Sequence, residues 1–229
     1  MMNSLVLVAA GKGTRIGGSI NKLLMEMHGH PLIWYTFKNI LDSKLLDEIV
    51  IVVKDTEKSQ FQQILSEFKH AIPIKWGQGG NTRVDSVING ISQISSKSEK
   101  LLIHDGARPL VGGDAIDQIL NKLGPAHPAV IFALPCIDTM KEINDEQVKK
   151  TVDRSKLYRA QTPQGVLTDL YKKALLQIKS LENITDDSSI FEAVKIPVTI
   201  IPGRENFFKV TTTEDWNRFS NMIYPSKIP

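Results

Sequence analysis

Short unbroken apolar runs alternate along this chain with segments in which apolar residues recur every three or four positions. Leu5-Val6-Leu7-Val8 is the first run, and a run this short without polar interruption reads as a strand buried on both faces. Glu48–Val53, residues 100–105 and Ala129–Pro135 repeat the pattern, with a weaker strand at 72–76 where Pro73 counts against it. Helical spacing fills the intervals. It covers 31–41, with Pro31 suited to a first turn, and 56–68, with Phe61, Ile64, Leu65 and Phe68 on one face. It continues at 84–94, where Val84, Val87, Ile88, Ile91 and Ile94 are apolar, and at 114–123. Strands separated by helix-length segments predict an α/β fold with a mostly parallel sheet flanked by helices. Ligands of such sheets bind beyond the carboxyl ends of the strands.

The pattern changes between residues 135 and 163. Asp138-Thr139-Met140-Lys141-Glu142-Ile143 and Thr151-Val152-Asp153-Arg154 flank the polar Asn144-Asp145-Glu146, which predicts a β-hairpin protruding from the main sheet. A helix at 168–180, a polar loop at 183–189, a short helix at 188–194 and a strand at 198–201 follow. A last helix begins near Thr213, where Glu214 and Asp215 suit a helix start. No internal repeat or low-complexity tract interrupts this order, so the expectation is a single domain carrying an arm at about 135–163.

Composition narrows the class only a little. The 229 residues suffice for a large core without covalent staples. Cys136 is the only cysteine, which excludes an intrachain disulfide and any cysteine-built metal site. A net charge of +3 is too mild to argue for nucleic acid. The N-terminus lacks a basic n-region, and no stretch approaches the roughly 18 apolar residues of a membrane helix. A soluble cytoplasmic protein, with neither nucleic acid nor membrane as partner, is the expectation.

The chemistry concentrates at three strand ends. After the first strand come Ala9-Ala10-Gly11-Lys12-Gly13-Thr14-Arg15. Ala10, Gly11 and Gly13 let backbone approach a ligand closely, and successive N–H groups can surround a phosphate. Arg15 and Lys22 supply charge. The loop is neither a dinucleotide fingerprint, since Ile16 stands where a third glycine belongs, nor a P-loop, whose spacing it lacks. The plain alternative is a tight turn bearing surface cations. Gly79-Gly80-Asn81-Thr82-Arg83-Val84-Asp85-Ser86 could hold a nucleobase through Gly80, Asn81 and Ser86; alternatively it is a loop into a helix capped by Asn81, with Arg83 and Asp85 pairing locally. Asp105, ahead of Gly106-Ala107-Arg108-Pro109, is placed for Mg²⁺, which prefers oxygen ligands. A turn or cap aspartate is the competing reading. His104 reads as a titratable or a structural histidine, and Thr185-Asp186-Asp187 as a helix cap.

These pieces, with Asn21-Lys22, Asp138-Thr139-Met140-Lys141, Thr151-Val152-Asp153-Arg154, Ala160-Gln161-Thr162-Pro163-Gln164 and residues 206–211, occur in the order of one family. In that order they resemble the 2-C-methyl-D-erythritol 4-phosphate cytidylyltransferases over nearly the whole chain. The resemblance implies a Rossmann-like nucleotidyltransferase fold and a homodimer whose arms reach the partner's active site. It also implies the substrates CTP and a polyol phosphate, and Mg²⁺ or another divalent cation. Carried over by position, Arg15, Lys22 and Lys209 are catalytic. Ala10, Gly11, Gly13, Gly80, Asn81, Ser86, Asp105 and Ala107 contact the nucleotide or its phosphates, and Asp105 also the metal. Thr139, Arg154 and Thr162 match arm-side contacts to the sugar phosphate, and Thr185 a group near the reacting phosphate.

The match has departures. Asn81 stands where Asp is frequent, Asn21 where Pro is frequent, Leu23 where an amide is frequent, and Tyr158 where Trp is frequent. Gly13-Thr14-Arg15 and Leu157-Tyr158 also resemble the sister ribitol-5-phosphate cytidylyltransferases, whereas Gly106-Ala107-Arg108 and Thr151-Val152-Asp153-Arg154 look more like the methylerythritol enzymes. The competing classes are a CTP-binding regulator without chemistry and a dinucleotide-dependent oxidoreductase.

Overall fold

A computed structural model of the chain describes residues 2–11, 21–178, 180–182 and 184–224. In chain order the elements are β1 (Met2–Val8), β2 (Glu26–Met27), β3 (His30–Pro31), α1 (Leu32–Ile40), β4 (Glu48–Val53), α2 (Lys58–Leu65), β5 (Ile74–Gln78), α3 (Arg83–Ile91) and β6 (Ser98–Asp105). They continue with α4 (Gly113–Lys122), β7 (Ala129–Pro135), β8 (Lys141–Asn144), β9 (Gln147–Thr151), β10 (Tyr158–Leu167), α5 (Thr168–Gln177), α6 (Ser188–Ala193), β11 (Val198–Pro202) and α7 (Thr213–Ile223).

Seven strands form one sheet in the order β11-β7-β10-β6-β1-β4-β5. β1 pairs in parallel with β4 and β6, β4 with β5, and β7 with β11. β10 runs antiparallel to both its neighbours. The alternation of β-strand side chains divides the core. Leu5, Leu7, Ile49, Ile51, Leu102 and Phe132 pack with α1, α2, α4 and α7 on one face, through Phe37, Phe61, Ile116 and Phe219 among others. Val6, Val50, Val52, Leu101, Ile103 and Val166 pack with α3, α5 and α6 on the other, through Val87, Tyr171 and Phe191. Both faces of the sheet are therefore covered, which explains the unbroken apolar runs.

β10 has no counterpart in the hydrophobic pattern. Its centre is Gln161-Thr162-Pro163-Gln164, polar residues around an imino acid that has no N–H to give a ladder, and the register with β7 slips between Gln161 and Gln164. These polar side chains are buried because each finds a partner inside the protein, so β10 is a full strand of the sheet and not the base of the arm. The arm is the hairpin β8–β9. Asp145 and Glu146 at its tip both have positive φ, as a two-residue turn matched to strand twist requires. Ile137, Ile143, Val148 and Tyr158 on and beside it are exposed. Among the described residues no helix is long and apolar enough to cross a membrane.

Candidate active site

The chain builds β1, β4 and β5 outward in one direction, then returns to lay β6 on the other side of β1. The carboxyl ends of β1 and β6 therefore flank the crevice where strand order reverses, the place such sheets offer a ligand. Val8 stands opposite Asp105 in the register, and the ladder continues past it, with Gly106 N donating to Val8 O (3.0 Å) and Gly79 N to Val53 O (2.8 Å). A cleft of about 550 Å³ opens there. Ala10, Gly11, Lys22, Gly80, Asn81, Ser86, Asp105, Ala107 and Lys209, all candidates of the sequence analysis, line it. Gly13 and Arg15 lie outside the described residues.

The two glycine loops touch. A Cβ on Gly79 would come within 2.4 Å of the Ala10 Cβ, and one on Gly80 within 2.2 Å of the Asp85 Cβ, so only glycine allows this approach. Ser86 Oγ accepts from Gly80 N (3.0 Å) and donates to Thr82 O (3.0 Å), which folds the second loop onto α3. Thr82, not Asn81, caps that helix: its side chain accepts from Asp85 N while Asp85 Oδ2 accepts from Thr82 N. Asn81 is left exposed beside the cleft.

Lys22 begins a short 3-10 turn, Lys22–Leu24, that the buried Asn21 anchors. Asn21 Nδ2 donates to Ala9 O (3.0 Å) and to Glu57 Oε2 (2.8 Å), and its Oδ1 accepts from Leu23 N (3.1 Å). A proline here would lose all three bonds. Lys22 Nζ donates to Val210 O (2.6 Å), and Val210 N to Ala107 O (2.8 Å). The segment 208–211 thus crosses the cleft's edge as a strap and carries Lys209 to within 3.0 Å of Asp105 Oδ2.

Asp105 is the electrostatic centre. Arg83 Nε meets its Oδ1 at 3.1 Å, and Arg108 Nε lies 3.7 Å from its Oδ2. Burial opposes ionisation, but Lys209, Arg83 and Arg108 outweigh it and hold the carboxyl far below the ordinary range. Arg83 also pairs with Asp187 at 2.7 Å. Burial disfavours the Arg83 charge, yet Asp187 and then Asp105 more than restore it. Asp187, more deeply buried, is pushed up by that burial against the pull of Arg83. His104 is buried and pushed down to about 3, so it is neutral near pH 7 and structural. Its Nδ1 lies 3.0 Å from Thr162 Oγ1, which accepts from Asp105 N at 3.1 Å. Thr162 therefore sits on β10 directly behind Asp105, buried, rather than on the arm.

Thr139, Arg154 and Thr185 are exposed and do not line this cleft. Thr139 and Arg154 belong to the arm, where the Arg154 guanidinium holds Ile137 O. Asp186 Oδ1 accepts from Ser189 N (3.0 Å) in the first turn of α6, whereas Asp187, the residue at the cap position, makes no side-chain cap bond. Sequence reasoning missed Arg83, Arg108 and Asp187. The Thr82-x-x-Asp85 box was the available signal for the first: it occupies the Asp85 carboxylate and releases Arg83 for distant partners.

Lys22, Lys54, Arg83 and Lys209 line the cleft with one carboxylate, Asp105, among its described lining residues; Glu57 and Asp187, outside the lining, pair with Lys54 and Arg83 and still leave a positive excess. That excess of positive charge suits a polyphosphate. No group of three His, Cys, Asp or Glu able to hold a metal exists among the described residues. One buried, ionised carboxylate does fit a Mg²⁺ ion that takes its remaining oxygens from phosphate and water.

The sequence profile described as 2-C-methyl-D-erythritol 4-phosphate cytidylyltransferase matches residues 3–223. An enzyme of that name from Prochlorococcus marinus subsp. pastoris is 38% identical over 212 residues, 92% of this chain and 94% of the relative. One from Nostoc punctiforme is 35% identical over 213 residues, 92% and 93% of the two chains. The crystal structure of 4-diphosphocytidyl-2C-methyl-D-erythritol synthase from Anaerococcus prevotii superposes with a TM-score of 0.83 at 28% identity, covering 98% of this chain and 99% of that one. Profile, relatives and architecture agree, and the chain belongs to the 2-C-methyl-D-erythritol 4-phosphate cytidylyltransferase family.

Proposed function

We propose that this protein transfers a cytidylyl group from CTP to 2-C-methyl-D-erythritol 4-phosphate, releasing pyrophosphate and forming 4-diphosphocytidyl-2-C-methyl-D-erythritol. The observation that carries the reading is the cation-rich cleft between two touching glycine loops at the point where strand order reverses. Gly80, Asn81 and Ser86 receive the cytidine, and Ala10, Gly11 and Gly13 the triphosphate. The substrate phosphate is already a nucleophile, so the protein needs no strong base. It brings two anions together and stabilises charge at the α-phosphorus during in-line attack. Lys22 and Lys209, which meet at the 208–211 strap, and Arg15 supply that charge. Asp105 would hold a divalent cation, which would supply neutralisation of the polyphosphate charge.

The arm belongs to the same reading. Thr139 and Arg154 lie away from this chain's own cleft, on a hairpin with exposed apolar side chains at Ile137, Ile143 and Val148. In a homodimer they would serve the partner's site, with Thr185 near the reacting phosphate. The cytoplasm, where CTP is available, is the proposed location. The test is pyrophosphate release from CTP with methylerythritol phosphate and, side by side, with ribitol 5-phosphate. Turnover with the first alone is expected; preference for the second would make the chain a ribitol-phosphate enzyme, and CTP binding without turnover a regulator. Light scattering tests the dimer, and a wholly monomeric, fully active protein would refute the arm's role.

A further inference from the structure

Arg83 is the first residue of α3, one step after the Thr82 cap, so its backbone belongs to the nucleotide loop. Its side chain leaves that loop and joins two other parts of the molecule. Nε donates to Asp105 Oδ1 at the end of β6 (3.1 Å), and Nη2 donates to Asp187 Oδ2 at the start of α6 (2.7 Å). Asp187 is only 2% exposed and does not line the cleft. It is fixed in turn: Tyr171 Oη donates to its other oxygen (3.0 Å), and its backbone N donates to Gln164 Oε1 on β10 (2.9 Å). Gln164 Nε2 also holds Asp186 Oδ2 at 2.8 Å.

The two principal cations on Asp105 are thus held very differently. Lys209 makes one point contact from a strap, and its side chain is 40% exposed. Arg83 is a planar fork gripped on a second edge by a buried carboxylate. A guanidinium gripped in this way cannot turn without breaking both ion pairs, whereas an ammonium on a flexible stem can swing away. An anion entering the cleft therefore draws Lys209 off Asp105 and leaves Arg83 in place.

We infer that Arg83 is a positioning residue of the reaction: braced by Asp187, it fixes the orientation of the Asp105 carboxylate while Lys209 exchanges that carboxylate for substrate phosphate. The inference rests on the cytidylyl transfer proposed above and assigns Asp187, which touches no ligand, a part in its rate.

The test is steady-state kinetics of Arg83→Lys, Asp187→Asn and the double variant with CTP and methylerythritol phosphate, with thermal unfolding measured alongside. Lysine retains the charge but cannot bridge both carboxylates. Each single variant is expected to lose about 100-fold in kcat, the cost of misplacing a reacting group by about 1 Å, while KM for CTP moves less than about threefold. The double variant should be little worse than either single one, because both break the same brace. Tyr171→Phe, which removes one bond to Asp187 and leaves the ion pairs, should lose several-fold and decides the matter if Asp187→Asn does not fold. A kcat near that of the wild type in Arg83→Lys, additive losses in the double variant, or a fall in rate that only follows the folded fraction would each overturn the inference. Wild-type protein that turns over neither polyol phosphate would overturn the function and, with it, this role; active wild type with undiminished variants overturns this role alone.

Discussion

Glu48 opens β4 at the amino ends of the strands, and Asp105 closes β6 at their carboxyl ends. Both are almost fully buried, and both are held ionised against the cost of that burial. Their partners differ in kind. Glu48 Oε1 accepts from Ser4 Oγ (2.6 Å) and Ser95 N (2.7 Å), and Oε2 pairs with Lys75 at 2.8 Å. Ser4 Oγ lies 2.8 Å from Ser98 Oγ, which is 3.2 Å from Thr168 Oγ1, so the neutral donors around Glu48 are themselves tied into the fold. Asp105 instead faces Arg83, Arg108 and Lys209, three cations that it and Asp187, the second partner of Arg83, do not fully balance, beside an open cleft. A balanced site is a structural fastening. An unbalanced one is built to receive something, and the surplus sign names the class of ligand.

The sharpest way to break the comparison is to remove each charge in turn. Asp105→Asn should lower turnover by about 10²–10³-fold, the range seen when a charge-organising group is lost from a transition-state site. Pyrophosphate release under saturating CTP measures it; near-normal turnover would make Asp105 a second Glu48. Glu48→Gln should leave kcat within about twofold and reduce folding stability by about 1–3 kcal/mol, because Lys75 loses its carboxylate and meets an amide donor while Ser4 and Ser95 keep their acceptor. Denaturant unfolding checks the second half. A loss of turnover without loss of stability would contradict the structural role.

Acid should sharpen the same contrast. The folded Glu48 carboxyl lies below its ordinary value of 4.5 because its bonds to Lys75, Ser4 and Ser95 outweigh burial. A depressed carboxylate contributes stability above the unfolded value, and that contribution is lost as pH falls through the folded one. The stability gap between wild type and Glu48→Gln is therefore expected to be full above about pH 5 and to close below it. Unfolding midpoints from pH 7 to pH 3.5 measure this, and a gap that stays constant would remove the ionised form from the account.

The sequence made one end of this sheet far more legible than the other elements around it. β1, β4, β6 and β7 announce themselves because both faces of the sheet are covered and each strand carries an unbroken apolar run. The cleft residues follow from the glycine loops that end those strands. β10 is hidden because its stability comes from side-chain bonding rather than burial of apolar surface: Thr162 to His104 and Asp105, Gln164 to the 186–188 turn, Gln161 to Arg204. Arg83 and Asp187 are 104 positions apart, and an ion pair over that distance leaves no periodic trace. Ordered motifs carry Thr162 into the site by position, but only the strand pairing reveals that it supports Asp105 from behind.

The smallest expected effect separates structure from function within the cleft itself. Thr82 lines the cleft, yet its hydroxyl is occupied by Asp85 N at 3.1 Å in a capping box. The same box recurs at α7, where Thr212 accepts from Asp215 N at 3.2 Å and does not line the cleft. Thr82→Ala and Thr212→Ala should each lose about 1 kcal/mol of stability, the usual worth of such a cap. Any difference between the twins belongs to the site. If loosening the first turn of α3 also loosens the nucleotide loop, KM for CTP rises in Thr82→Ala alone, by no more than about fivefold, since the whole cap energy corresponds to that factor. kcat stays unchanged, because the Arg83 brace and the Asp105 cluster do not pass through the Thr82 hydroxyl. A larger rise would mean that this hydroxyl touches the nucleotide directly, and it would move Thr82 from the structural side of the comparison to the functional one.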